Sequence, residues 1–186
     1  MPVLTVRSYA KADRDAALAI FDSNLPEYFG PGERDWFAES LDDLDGPAVV
    51  LAIDGRPVGF GGWEVWDHYD KALLCWGMVH RDCHALSLGR LLLAERVLGV
   101  ARGTPATRYV TVDTSPLVAP FFVHCGFEQT SVWPAGYRSG MDMHELRLDL
   151  ATVAIERLVS ERDASLVNAQ RRIDAAPPET KASAPS

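Results

Sequence analysis

Long apolar runs, cysteine and a surplus of positive charge are all scarce in this chain, and each shortage closes a class of function. No uninterrupted apolar stretch approaches the about 20 residues needed to span a bilayer. The N-terminus, MPVLTVRSYAKADRD, lacks the basic region, apolar stretch and small-residue cleavage site of an export signal. A cytoplasmic location without a membrane partner is therefore expected. The formal net charge of −8 opposes any surface that must neutralise a nucleic-acid backbone, so nucleic acid is not an expected partner. Three cysteines, Cys75, Cys83 and Cys125, are odd in number and widely spaced, which fits reduced thiols better than a disulfide framework.

What remains is ordinary for a water-soluble globular chain: 47% apolar and 24% charged residues over 186 positions, enough for one sizeable core. LTVRSY, residues 4–9, alternates like a half-buried strand, and Asp13 is placed to cap a helix reaching Phe21. After the turn-rich NLPEYFGPGERDW, helical spacing of Trp36, Phe37 and Leu41 predicts a second helix over about 32–44. AVVLAIDGRPVGFGGWEVW and KALLCWGMV then read as an antiparallel meander with a tight turn at Asp54-Gly55. A helix over about 87–101, a strand in RYVTVDTS, a short helix in VAPFFVHCG and a final strand in HELRLDL complete the order β, α, α, β, β, β, α, β, α, β. This implies a mixed α/β sheet flanked by helices over residues 1–150. From 151 to 174 an amphipathic helical extension follows, whose apolar face can dock on the core or join a second subunit into a homodimer. Residues 175–186, rich in proline, alanine and serine, are expected to form a disordered tail.

The most informative stretch is VHRDCHALSLGRLLLAERV, residues 79–97, where an apolar strand delivers its end to a helix N-terminus. Such an end leaves several backbone N–H groups unpaired, and the helix dipole favours negative charge there. Phosphate or pyrophosphate is the usual ligand of this geometry, while an ordinary helix capped by Ser87 is the plainer alternative. The stretch resembles the acyl-coenzyme A signature of the GNAT superfamily of N-acetyltransferases: Gln or Arg, two residues, Gly, any residue, Gly or Ala. His84 stands in the first place, Ser87 in the first glycine place, and Gly89 matches the last. A left-handed backbone at Ser87 would cost ~1–2 kcal/mol, whereas a helical or extended Ser87 would offer its hydroxyl to phosphate. TSPLVAPFFVHCGF, residues 114–127, resembles the GNAT segment along the pantetheine arm, with Gly126 and Phe127 matching a characteristic pair. Phe122 occupies the place where many members carry a tyrosine proposed to protonate the departing thiolate, and phenylalanine has no proton to give. FDSNLPEYF with GER, GRPVGFGG and GYRSGMDMHELRLDL resemble one bacterial subgroup, so the likeness spans about residues 4–150.

The resemblance implies a mostly antiparallel GNAT sheet with splayed central strands, and acetyl-coenzyme A as co-substrate with no metal. Backbone donors at Met78 and Val79 would face the thioester oxygen. The amides of Leu86, Ser87, Leu88, Gly89 and Arg90 would hold the pyrophosphate, with His84 and Ala85 in the same cofactor-binding loop and Ser115, Phe121 and Phe122 along the arm. Asn24, Pro26, Tyr28 and Phe29 would wall the acceptor, with Trp63, Trp66 and Trp133 offering aromatic surface. A lysine-like amine is only ~0.1% neutral near physiological pH, a penalty of ~4 kcal/mol, so a base or a water chain helps. Glu64, Asp67, His68 and His80 are candidate bases and Ser115 a proton donor through water; a solvated strand edge is the bland alternative for Glu64 and Asp67. HRDCH with His124 and Cys125 lacks the paired spacing of zinc sites, and Cys83 has no assignable base. The expected activity is acetyl transfer to a primary amine of a small molecule by direct attack in a ternary complex. A protein N-terminal or lysine acetyltransferase, or a coenzyme A-binding module without catalysis, are the rivals.

Overall fold

A computed structural model describes residues 1–176 except Pro31, Asp45, Asp67, Tyr69 and Arg138. The expected tail therefore lies outside the described residues from 177 onward. Seven strands, β1 (Leu4–Ser8), β2 (Ala48–Ile53), β3 (Arg56–Trp66), β4 (Lys71–Val79), β5 (Tyr109–Thr114), β6 (Glu128–Trp133) and β7 (Met143–Asp149), form one sheet. Their order is β1-β2-β3-β4-β5-β7-β6, and only β4 and β5 run parallel. The predicted turn is there: Asp54 and Gly55 both have positive φ, 50° and 81°, and join Ile53 to its partner Arg56. Paired positive φ values are what a two-residue hairpin matching the twist of its strands requires.

Five helices accompany the sheet: α1 (Arg14–Ser23), α2 (Glu33–Asp42), α3 (Leu88–Gly103), α4 (Ala119–His124) and α5 (Ile155–Ala175). On one face, Ile20 and Phe21 of α1 and Phe37 and Leu41 of α2 bury against Val50, Phe60 and Met78. On the other, Leu93 and Val97 of α3 and Phe122 of α4 pack with Val110, Val112 and Leu146. The extension folds back onto this second face. Leu158, Ala169 and Ile173 of α5 are buried, and Gln170 accepts from the Leu4 amide at 3.0 Å and donates to the Pro2 carbonyl at 2.8 Å. Its apolar face is thus used within the chain.

Two expectations need correction. Asp13 does not cap α1 with its side chain; its carboxylate takes the Ala10 amide at 2.9 Å and a bidentate pair from Arg7 at 2.6 and 2.7 Å. The sequence order also omits β6. Of its six residues only Ser131 is even partly buried, so no apolar alternation marks it.

Glycine matters where α3 packs on Trp63. A Cβ added at Gly99 of α3 would lie 2.6 Å from the buried Trp63 ring. Gly99→Ala gains ~1 kcal/mol of helix propensity but incurs ~1–3 kcal/mol of overpacking, so a lower thermal midpoint is expected in a melt.

Candidate active site

Two local features open the sheet. β4 and β5 pair only at Lys71–Leu73 with Tyr109–Thr111, and beyond these residues no β4–β5 register continues. Within β4, Trp76 has a positive φ of 49° and the β3–β4 register slips between Phe60 and Gly62, which makes a bulge opposite Gly61. A bulge bends and twists its strand, and here it turns β4 away from β5 where pairing stops. The cleft so formed runs toward the start of α3.

There the chain leaves β4 through His80 and a tight turn over Arg81–Leu86. Cys83 and Leu86 anchor the turn in the core, and the His84 ring donates from Nε2 to the Val79 carbonyl at 2.9 Å. His84 thus braces the loop without any fixed charge. Ser87 is left-handed, φ 62° and ψ 16°, and caps α3 with no side-chain hydrogen bond. This settles the choice between backbone states at Ser87: the strained one is present, and its hydroxyl leaves the first amides of α3 uncapped. Because no cap bond is lost, Ser87→Gly should relieve part of the left-handed strain, and a melt should show a midpoint higher by about 2 °C.

Met78, Val79, Leu86 and Leu88 are buried, Met78 in the core beside α1 and α2 and the other three in the core shared by α3 and α5. Arg90 is exposed, and the exposed Ala85 offers its carbonyl to Arg172 of α5 at 3.0 Å. Phe121 lies 3.8 Å from where a Cβ on Gly89 would sit. Ser115, just after β5, is buried and its hydroxyl has no partner among the described residues.

Acidic groups gather on the opposite side of the sheet, under α1 and α2. Asp113 faces Glu145 across the β5–β7 ladder, on the same face as Thr111, Leu73 and Cys75. Asp113 is exposed at the surface, yet desolvation by the protein around it, then Glu145, raises its pKa above the ordinary carboxylate value, with Lys71 acting against them. Tyr137, in the turn between β6 and β7, has its phenol pushed up by burial and by the charges of Asp113 and Glu33. The loop between α1 and α2 meets that turn: a Cβ on Gly30 would touch Ser139 at 2.7 Å, and the Gly30 amide donates to Glu33. Phe29 stacks on Phe21 at 4.3 Å, and Trp36 and Trp76 meet edge to face at 5.0 Å, giving this mouth an aromatic flank.

Several residues picked from sequence sit elsewhere. Asn24 is buried and ties α1 to β4, donating to the Ile20 carbonyl at 2.8 Å and the Val79 carbonyl at 2.9 Å; it is a strut, not an exposed wall. Tyr28 turns its edge to His84, at 5.4 Å between rings. Phe122 is buried against Phe127, so its ring belongs to the core under β5 and β7. Trp63 is likewise core, whereas Trp66 and Trp133 are exposed. Glu64 is exposed and accepts from Trp66 Nε1 at 3.4 Å; His68 is exposed, and Asp67 lies outside the described residues. Burial lowers the His80 pKa, with Asp82 acting against it. Burial lifts the Cys75 thiol to about 12 and the Cys83 thiol to about 11, which disqualifies both as nucleophiles at neutral pH. Among the described residues no three His, Cys, Asp or Glu side chains form a metal cluster. No helix among them is long and apolar enough to cross a membrane.

The Acetyltransferase (GNAT) family model matches residues 17–127, well over half of the chain. The protein is a GNAT-family acetyltransferase. No curated protein matches it by sequence. Among solved structures, a GNAT-family protein from Desulfovibrio desulfuricans superposes with a TM-score of 0.68 at 26% identity, over 80% of this chain and 99% of the other. YncA from Salmonella typhimurium, solved with its cofactor acetyl-CoA, gives 0.62 at 20% identity over 82% and 96%. A mutant of the spermidine N-acetyltransferase SpeG from Vibrio cholerae gives 0.62 at 14% identity over 80% and 94%. At these last two identities the likeness is one of fold.

GNAT enzymes use acetyl-CoA, and the residues present suit it. The uncapped amides at the start of α3 match a diphosphate, Gly89 leaves the approach open, and the orphaned Ser115 hydroxyl matches an amide of the pantetheine arm. Asp113, Glu145 and Tyr137 were missed in the sequence. RYVTVDTS does place Asp113 on the face away from Val110 and Val112, but its pairing with Glu145 appears only with the register.

Proposed function

We propose that this GNAT enzyme transfers acetyl from acetyl-CoA to the primary amine of a small cationic molecule by direct attack in a ternary complex. The carrying observation is the acidic mouth: Asp113 opposite Glu145, with Glu33 and the Tyr137 phenol beside them. The contact of Gly30 with Ser139 narrows this mouth, which favours a small acceptor over an extended peptide backbone. Amides of residues 84–90, with Arg90, hold the pyrophosphate; Ser115 and Phe121 line the arm, and the backbone at Met78 and Val79 faces the thioester oxygen. Acetyl-CoA supplies an acyl group activated as a thioester.

Asp113 and Glu145 attract the ammonium form of the acceptor, and Asp113 takes the proton that makes its nitrogen nucleophilic. Asp113 passes that proton on to water; an N–C bond then forms as the C–S bond breaks, its electron pair moving to sulfur, and Asp113 takes the second proton from the acylated nitrogen to leave a neutral amide. Phe122 has no proton for that sulfur. Glu64 lies across the sheet from Leu73 at the outer rim, where it serves to draw in cations. Steady-state thiol release with diamines, neutral-bodied monoamines and basic peptides tests the proposal. Di- and polyamines should give the highest kcat/KM. Preference for the peptides, or binding of acetyl-CoA without turnover across the whole panel, would overturn it.

A further inference from the structure

α3 carries an arginine that the reading above does not use. Arg96 is 3% exposed, and among the described residues no carboxylate pairs with it. Its Nε donates to the Leu92 carbonyl at 3.3 Å and its Nη1 to the Cys75 carbonyl at 3.5 Å, both long, and Nη2 has no partner among the described residues. Burial pulls its pKa down to about 10, so it remains protonated at neutral pH. A buried cation without an anion is costly, and such a group is retained in a fold most readily when an anion arrives later.

Its direction identifies where that anion arrives. A Cβ on Gly61 of β3 would lie 2.9 Å from Arg96 Cδ, and one on Gly77 of β4 would lie 2.4 Å from Nη2. The stem therefore passes beneath β3 and the head lies beneath β4, so the side chain points along the sheet toward β5. Beyond Leu73 the next strand is not paired, and Gly77 is exposed. The guanidinium thus ends at the inner edge of the cleft. At 1.5 Å per residue, Arg96 lies about 10 Å along α3 from Gly89, on the path of an arm anchored at the helix start. The two glycines and the bulge leave room for a planar head that any Cβ would exclude.

We infer that Arg96 places its guanidinium against the sulfur of coenzyme A and holds the negative charge left there when the C–S bond breaks. This rests on the proposed seat of acetyl-CoA in the cleft. The sulfur leaves with the bonding pair, the nitrogen loses one proton before attack and one after it, both by way of Asp113, and Arg96 offsets the charge on sulfur without giving up a proton. A fixed cation takes the place of the proton donor that Phe122 cannot be. The titratable group that acts on Arg96 is Cys75 on β4, which in turn feels Glu64 on β3 and Asp113 on β5. Cys75, lifted by burial to about 12, stays protonated over this range.

The test is binding, not turnover. Affinities of the intact protein for coenzyme A and for desulfo-coenzyme A, which lacks the thiol, are measured by calorimetry at pH 6 and pH 8. A free thiol titrates near ~8.5, and a guanidinium against it should lower that value, so the preference for coenzyme A should grow about tenfold between the two pH values. Arg96→Gln should abolish the growth while keeping affinity for desulfo-coenzyme A. A pH-independent preference in the wild-type protein overturns the inference without recourse to any variant, as does an unchanged pH response in Arg96→Gln. Failure of both ligands to bind would instead overturn the seat of acetyl-CoA itself.

Discussion

Replacing Asp113 by asparagine is expected to lower kcat/KM for the amine by about 100-fold or more, the range typical of losing a positioned general base. An acceptor with a pKa near ~10.4 reaches the site protonated and must lose a proton before its nitrogen can attack. Among the carboxylates on the acceptor face, Asp113 stands at the end of β5, where β4 has already turned away. Although the residue is exposed, its pKa lies above the ordinary aspartate value because desolvation by the surrounding protein and Glu145 disfavour its charged form. A base must be ionised to act, so activity should rise with pH through the elevated Asp113 pKa, and that acid limb should vanish in Asp113→Asn. Glu145→Gln, which removes a like charge, should shift the same limb to lower pH and raise KM for the cationic acceptor. Acetyl-CoA affinity should be unchanged in both variants, since neither side chain faces the α3 side of the sheet. A pH–rate profile of Asp113→Asn that matches the wild type would remove the base from this position.

The meander, the helix starting after the polar turn and the Gly126-Phe127 corner were legible because each is written locally, in alternation, turn chemistry or short spacing. Asp54-Gly55 needs no distant partner to make its hairpin. The site groups that escaped detection depend on distant partners. Asp113 becomes distinctive only when β7 sets Glu145 opposite it, 32 positions along the chain. Arg96 sits in LLLAERVLGV, where an arginine beside a glutamate looks like part of a solvated helix face. Only the two glycines on neighbouring strands, Gly61 and Gly77, reveal that it runs inward. Asn24 shows the reverse error: a polar residue in a turn-rich loop looked available for substrate, but folding uses its amide to join two elements.

Truncation after Leu150 should have the largest effect on stability of any change considered. α5 covers the face of α3 that lies away from the sheet and reaches β1. Leu158 and Ile173 are both nearly inaccessible, and removing buried side chains of this size costs about 2–5 kcal/mol each. Two of them together, about 4–10 kcal/mol, compare with the whole stability of a domain, about 5–15 kcal/mol. The truncated chain is therefore expected to unfold at growth temperatures or to lose most of its thermal midpoint, and a midpoint within a few degrees of the intact protein would show that α5 is dispensable. Loss of fold would mask any role of α5 at the site, so the single change Arg172→Ala separates the two effects. Arg172 is exposed and holds the Ala85 carbonyl at the loop before α3. Its removal should leave the unfolding free energy within about 0.5 kcal/mol of wild type, yet weaken acetyl-CoA binding several-fold in calorimetry. The extension would then act as a brace for the phosphate loop as well as a cover for the core, which would explain why a GNAT sheet that closes at β7 is followed by a further long helix.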